Sequence, residues 1–252
     1  NQSRYMPDRR DLNRSFPGSA KGSLAGRVAN TFLDKIVSLC DYGIDLHTGA
    51  IHRSNLPQVR ANLNDPETRT LAELFGVPVL LNSDIRDGSL RQAAVEFDTR
   101  VLLYEAGQAL RFDELSIRAG VRGVLNIIAH LGLINRKRIK KPVTPFIAND
   151  SSWMRASCSG IVNNLKNLGD MVEKGEALAN IGGPFGEIID TVTASKSGII
   201  IGKQNIPLAQ EGEALFHIAY FSEEHKSIAE NIEVMQETLT SDPEDTIEPR
   251  LI

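Results

Sequence analysis

Cysteine is nearly absent: Cys40 and Cys158 are the only two, they stand in different segments, and no CxxC pair exists. A disulfide-dense scaffold is thereby excluded, and two free thiols in a reducing cytoplasm are the expectation. No apolar run reaches the length of a membrane span. Charge of one sign is lacking too, since the net charge is −4, which implies no general affinity for nucleic acid or an anionic membrane. The local exception is the basic run "NRKRIKKP" at 135–142, short and set between two candidate elements, which reads as a solvated linker. What remains is ordinary for a soluble globular chain: 252 residues, 41% apolar and 24% charged, enough for one or two domains with a buried core.

Helical and strand patterns alternate over the first half. Leu24, Val28, Phe32, Ile36 and Leu39 recur at helical spacing, which predicts a helix over 24–39. Residues 65–75 predict a second, with Asp65 as N-cap, Pro66 in the first turn and Gly76 as the stop. Residues 89–97 and 113–133 predict two more. Between them "GIDLHT", "VPVLLN" and "TRVLLYEAG" read as short strands, expected to be neighbours in a buried sheet. The segment 50–64 reads as a loop. This alternation predicts an α/β sheet covered on both faces.

Beyond residue 143 the pattern changes to short β runs separated by Gly turns, and a repeat emerges. "ASCSGIVNNLKNLGDMVEKGEALANI" (156–181) parallels "ASKSGIIIGKQNIPLAQEGEALFHI" (194–218), with Ser159-Gly160-Ile161 matching Ser197-Gly198-Ile199. Two copies of one strand–turn–strand unit predict a small all-β domain with internal pseudo-twofold symmetry. It resembles the barrel-sandwich domain of biotinyl and lipoyl carriers. The hairpin between the copies, "IGGPFGEIID", carries no lysine, and Lys196 falls after it, so no covalent arm is expected. The expected domains are therefore 1–142, 143–221, and an acidic tail 222–252 that is partly helical or disordered.

Two stretches carry candidate chemistry. "GIDLHTG" ends an apolar strand with Asp45, His47 and Thr48 before the turn at Gly49. The carboxyl end of a strand in an α/β sheet is where ligands bind, so His47 reads as a metal ligand, a general base, or a residue closing a loop hydrogen bond. "PDRRDLNRSFPG" packs Arg9, Arg10, Asp11, Asn13 and Arg14 into six positions. A guanidinium grips a carboxylate with two parallel hydrogen bonds and an adjacent amide adds a third, which makes Asn13 and Arg14 a candidate carboxylate site.

"RDLNRSFPG", "DLHTG" and "LLYEAG", in this order and followed by a carrier-like β-domain, resemble the succinylglutamate desuccinylase/aspartoacylase family, zinc-dependent hydrolases related to zinc carboxypeptidases. The resemblance implies a mixed sheet flanked by helices, one Zn²⁺, and a small-molecule substrate bearing a carboxylate. It implies His47 as a zinc ligand, Asp11 as a supporting carboxylate, Asn13 and Arg14 as the substrate's carboxylate grip, Glu105 as general acid/base, and Arg4 as the cation polarising the scissile carbonyl, with Arg9 or Arg10 as alternatives. It also implies an HxxE pair ahead of "DLNR". None of His47, His52, His130, His217 and His225 has Glu three residues on. His52 is a conceivable substitute, although its offset from His47 argues against it. The chain, which starts "NQSRYMPDRR", is read as N-terminally incomplete. The expected activity is hydrolysis of an amide next to a carboxylate, as in deacylation of an N-acyl amino acid. A zinc carboxypeptidase and a metal-free binding protein are the alternatives, and a homo-oligomer is left open.

Overall fold

Asp65 meets the requirement of a helix N-cap: its carboxylate accepts from the Thr68 backbone N–H at 2.9 Å, Pro66 opens the helix, and Gly76 closes it in the left-handed region at φ 81°. This helix, α2 (Pro66–Phe75), belongs to a computed structural model that describes residues 2–82, 88–135 and 144–220. The other α-helices among them are α1 (Leu24–Lys35), α3 (Leu90–Val95) and α4 (Glu114–His130), capped by Ser23, Ser89 and Asp113. The strands of this part are β1 (Tyr42–Gly49), β2 (Arg53–Ala61), β3 (Val79–Asn82), β4 (Arg100–Gln108) and β5 (Phe146–Ala148). The result is a mixed α/β fold with a sheet flanked by helices.

Alternation along the strands sorts side chains to the two faces. Leu102, Tyr104 and Ala106 of β4 join Leu71, Ala72 and Phe75 of α2 and Ala119 and Ile127 of α4 in one buried cluster. On the other face Val101 packs with Phe16, Ala29, Leu33 and Ala93 from the N-terminal segment, α1 and α3. Leu103 and Glu105 follow Val101 on that second face. Close packing between α2 and α4 depends on Gly123, where an added Cβ would stand 2.2 Å from the Phe75 ring. Gly123→Ala is accordingly expected to destabilise the fold by about 1–3 kcal/mol through overpacking, measured by chemical denaturation.

Three expectations are corrected. Residues 50–64 are not a loop: Arg53–Ala61 form β2, which lies between "RVLLYE" and "VPVLL" and separates them. One side of β2 is lined by antiparallel β4. Along the other, Arg53–Asn55 pair with β11 (Gly198–Gln204) and Gln58–Ala61 with β3. Pro57 is tolerated because the register shifts between Asn55 and Gln58, so the missing N–H falls at a bulge. Second, α1 stops at Lys35 and a 3₁₀ turn continues to Leu39. Its buried residues are Ala25, Gly26, Ala29 and Leu33, whereas Phe32 is 38% and Leu39 80% exposed. β1 pairs only with β4 among the described residues, and the described contact on that apolar stripe is the edge of Phe16 against Phe32.

Third, one sheet runs through both parts. The second part contributes β6 (Ser151–Arg155), β7 (Gly160–Asn164), β8 (Met171–Val172), β9 (Ala177–Gly182), β10 (Ile188–Thr193), β11, β12 (Leu208–Ala209) and β13 (Ala214–Tyr220), with no helix from Trp153 to Ile218. The pairing of β11 with β2 makes one ladder, β1-β4-β2-β11-β13-β6, beside a four-stranded sheet, β10-β9-β7-β12. β5 pairs with β3 although it lies beyond the expected boundary at 142. A third cluster straddles the junction, with Leu56, Val79 and Leu81 against Ile199, Ile201 and Ala219.

The repeat is physical. β8 of the first copy pairs with β11 of the second, and β12 of the second pairs with β7 of the first. Gly175 N–H donates to Ala194 O, and Gly212 N–H to Ala156 O, both at 2.8 Å. Lys174 N–H reaches Ser197 Oγ, and Glu211 N–H reaches Ser159 Oγ. Each contact has its mate in the other copy. The expected tail, 222–252, and most of the basic linker lie outside the described residues.

Candidate active site

β1 and β4 run parallel with His47 directly opposite Glu105, so the two side chains emerge together near the carboxyl ends of their strands. They line a cleft of about 620 Å³ with Asp45, Arg60 and Leu103. Arg4, Asn13 and Arg14 line it from the N-terminal segment, Ser89 and Arg91 from the start of α3, and Trp153 and His217 from the second part. Thus His47, Glu105, Asn13, Arg14 and Arg4 are brought together. Arg9, Arg10 and His52 are not among the lining residues.

Asp11 organises the N-terminal wall. Its Oδ1 accepts from Asn13 N–H at 3.0 Å and caps the 3₁₀ turn Leu12–Arg14. Its Oδ2 takes Arg4 Nε at 2.8 Å and Nη2 at 2.7 Å. One carboxylate thereby holds Arg4 against the turn that presents Asn13 and Arg14. Asn13 Oδ1 accepts from the Leu90 N–H at 2.8 Å, so its oxygen is spent at the start of α3 and its amide NH₂ is the group left for a ligand. An N–H of Arg14 donates to the Asn13 carbonyl.

His47 Nε2 stands 3.0 Å from Asp45 Oδ2. That hydrogen bond raises the imidazole pKa above its ordinary value, against the opposing effect of burial. With Nε2 directed at this carboxylate, Nδ1 is the nitrogen available to a ligand, the arrangement by which a carboxylate orients a ligating histidine. Glu105 is held through Oε2, which accepts from Asn55 Nδ2 at 3.0 Å and lies 3.5 Å from Arg60 Nε. That Nε is buried and makes no described hydrogen bond, so its contact with Glu105 is an ion pair at 3.5 Å. Among the described residues no three His, Cys, Asp or Glu side chains stand together as a metal site. His47 alone does not hold zinc, so the residues present do not fit the ion by themselves.

The sequence reasoning did not single out Asn55, Arg60, Trp153 or His217. The Trp153 ring stacks on His217 at 4.7 Å, and the Arg53 guanidinium lies 5.2 Å above the Trp153 ring. The signal for Asn55 and Arg60 was the strand at 53–61, whose alternation Pro57 conceals; Trp153 and His217 stand on β6 and β13, and reach the cleft only through the tertiary pairing of the two parts.

Residues 1–131 match the profile of the succinylglutamate desuccinylase/aspartoacylase catalytic domain. The chain belongs to that family. It is 28% identical to the N-alpha-acetyl-L-2,4-diaminobutyric acid deacetylase of Halomonas elongata, over 68% of this chain and 53% of that protein. The chain thus spans about half the length of this curated relative. The product-bound ectoine utilization protein EutE (DoeB) of Ruegeria pomeroyi superposes with a TM-score of 0.78 at 22% identity, covering 87% of this chain and 70% of that one. A succinylglutamate desuccinylase/aspartoacylase of Rhodobacter sphaeroides gives 0.75 at 22% identity, covering 88% and 71%. At that identity the two structures establish the family's fold. No helix among the described residues is long and apolar enough to cross a membrane.

Proposed function

We propose that this chain carries the substrate grip and the acid–base residue of a deacylase, which hydrolyses the amide bond of a small carboxylate-bearing substrate such as an N-acyl amino acid. The observation that carries the reading is the convergence of Glu105, His47, Arg4, Asn13 and Arg14 in one cleft. Membership in a deacylase family and the curated deacetylase relative support it.

In this reading Arg14 and the Asn13 amide NH₂ bind the substrate carboxylate. Arg4, held by Asp11, faces the carbonyl oxygen as negative charge develops on it. Glu105 takes a proton from the attacking water and returns it to the leaving nitrogen. Zinc stays the proposed cofactor, with His47 as one ligand; among the described residues no side chains complete its site. We read the second part as a barrel-sandwich related to the biotinyl and lipoyl carriers, without a covalent arm; its reciprocal pairing supports that reading. The wall it supplies through Trp153 and His217 serves to shape the acyl side of the cleft. A small-molecule substrate is the proposed partner, with no nucleic acid or membrane, in a cytoplasmic setting.

The test is a substrate series. N-acyl amino acids are expected to be hydrolysed while their methyl esters, which keep the amide but lose the carboxylate charge, react at least about tenfold more slowly. Free acid and amine are quantified by chromatography. Preferential release of C-terminal residues from peptides would favour the carboxypeptidase alternative. Equal rates for acid and ester would remove the carboxylate grip from the reading.

A further inference from the structure

Asn55 sits where the two parts of the chain meet. In the ladder it faces Gly107 of β4 on one side and Gly202 of β11 on the other. A Cβ on Gly107 would meet Ser116 of α4 and its N-cap Asp113, so the room for the Asn55 amide lies over Gly202, beside His217 and Trp153. A Cβ on Gly202 would come within 3.1 Å of Asn55 Oδ1, so the amide oxygen is turned toward β11. Nδ2 is turned toward β4, where it donates to Glu105 Oε2. The residue is only 9% exposed, and packing at that depth limits the orientations of the amide. The register of β2 shifts between Asn55 and Gln58, and bulges beside a site re-aim a side chain in this way.

Glu105 is therefore pinned by one oxygen. Oε2 accepts from Asn55 and faces Arg60 Nε, while Oε1 accepts no described hydrogen bond. We infer that Asn55 is a positioning residue: it fixes Glu105 through Oε2, so that Oε1 is the oxygen that takes the proton from water and hands it to the leaving nitrogen. The inference rests on Glu105 as the acid–base residue. It also gives the second part a role in the chemistry, because β11 supplies the floor against which the Asn55 amide is set.

Asn55→Asp keeps the shape but replaces the donor by a second carboxylate, and Asn55→Ala removes the donor. Each is expected to lower kcat by about tenfold or more, the scale of a misplaced catalytic group, and to leave KM within about twofold. In a Glu105→Gln background the same substitutions are expected to change kcat no further, because Asn55 acts through Glu105. Equal losses in both backgrounds would mark Asn55 as merely structural and overturn the inference. A Glu105→Gln protein with undiminished kcat would instead overturn the acid–base reading itself, and the inference with it. A measurement independent of turnover completes the test. In ¹⁵N-edited NMR spectra of the full chain, the Asn55 side-chain amide protons are expected to move upfield on Glu105→Ala, which removes the acceptor. An amide signal that stays in place would show that the hydrogen bond is not made, which also overturns the inference.

Discussion

Glu105→Gln is expected to cut turnover by roughly 10²–10⁴-fold, the usual span of general acid–base catalysis. The substitution preserves size and leaves an amide oxygen able to accept from Asn55 Nδ2, the bond that holds Glu105 in the parent. What it removes is the capacity to exchange a proton. Substrate affinity should change little, because Asn13 and Arg14, the proposed carboxylate grip, line the cleft from the N-terminal segment. Steady-state kinetics on N-acyl amino acids, with the metal content of each variant measured alongside, checks this. Thermal melts of the same preparations act as a control, since Arg60 loses the carboxylate 3.5 Å from its Nε. Near-normal turnover at full metal content would take Glu105 out of the mechanism.

Arg14→Ala is expected to act on recognition instead. Removing a bidentate partner and leaving the substrate's carboxylate without its counter-charge should raise KM by on the order of 10²-fold, with a smaller effect on kcat. Arg14→Lys should recover only part of the loss, because an ammonium returns the charge without the planar fork. The split between the two positions carries the information: Glu105 moves kcat and Arg14 moves KM. If Arg14→Ala left KM within about twofold on the acid substrates, the carboxylate would have to bind elsewhere in the cleft. Arg53 and Arg60, which also line it, would then be the next residues to replace.

Much of this site was legible because its residues stand at the ends of simple elements. His47 closes an alternating strand and Asn13 and Arg14 stand in a charge-dense turn, so local pattern singled these out as candidates, whereas Glu105 and Arg4 entered only through the family resemblance. The cap of α2 was legible for the same reason: Asp65 accepts from the backbone N–H three residues on. Asn55 and Arg60 were not, because their roles depend on a strand whose Pro57 reads as a loop signal. A proline inside a sheet is admitted only by a bulge, and the bulge is set by the neighbours β4 and β11 rather than by the local sequence. The stripe Val28, Phe32, Ile36 and Leu39 gave the correct element and the wrong face. Helical spacing reports that apolar residues share a side, and the position of the strands decides whether that side is buried. The continuity of the sheet across the two parts was equally invisible, since strand pairing over a long separation leaves no periodic trace.

The reciprocal pairing of the two β copies has a consequence for the order of events in folding. β8 closes on β11 and β12 closes on β7, so neither copy owns all the partners its strands require. A nascent chain that has emerged only as far as the β9–β10 turn has β7 with no β12 to cap it, and β8 with no β11 to receive it. Productive closure must wait for the second copy, which makes the assembly a late, all-or-none step with a large loop-closure entropy. Once closed, the same interlock works in the chain's favour. The turn around Phe185, which is 94% exposed, could be cut without releasing either half, because each half is stitched into the other by strands on both sides of the break.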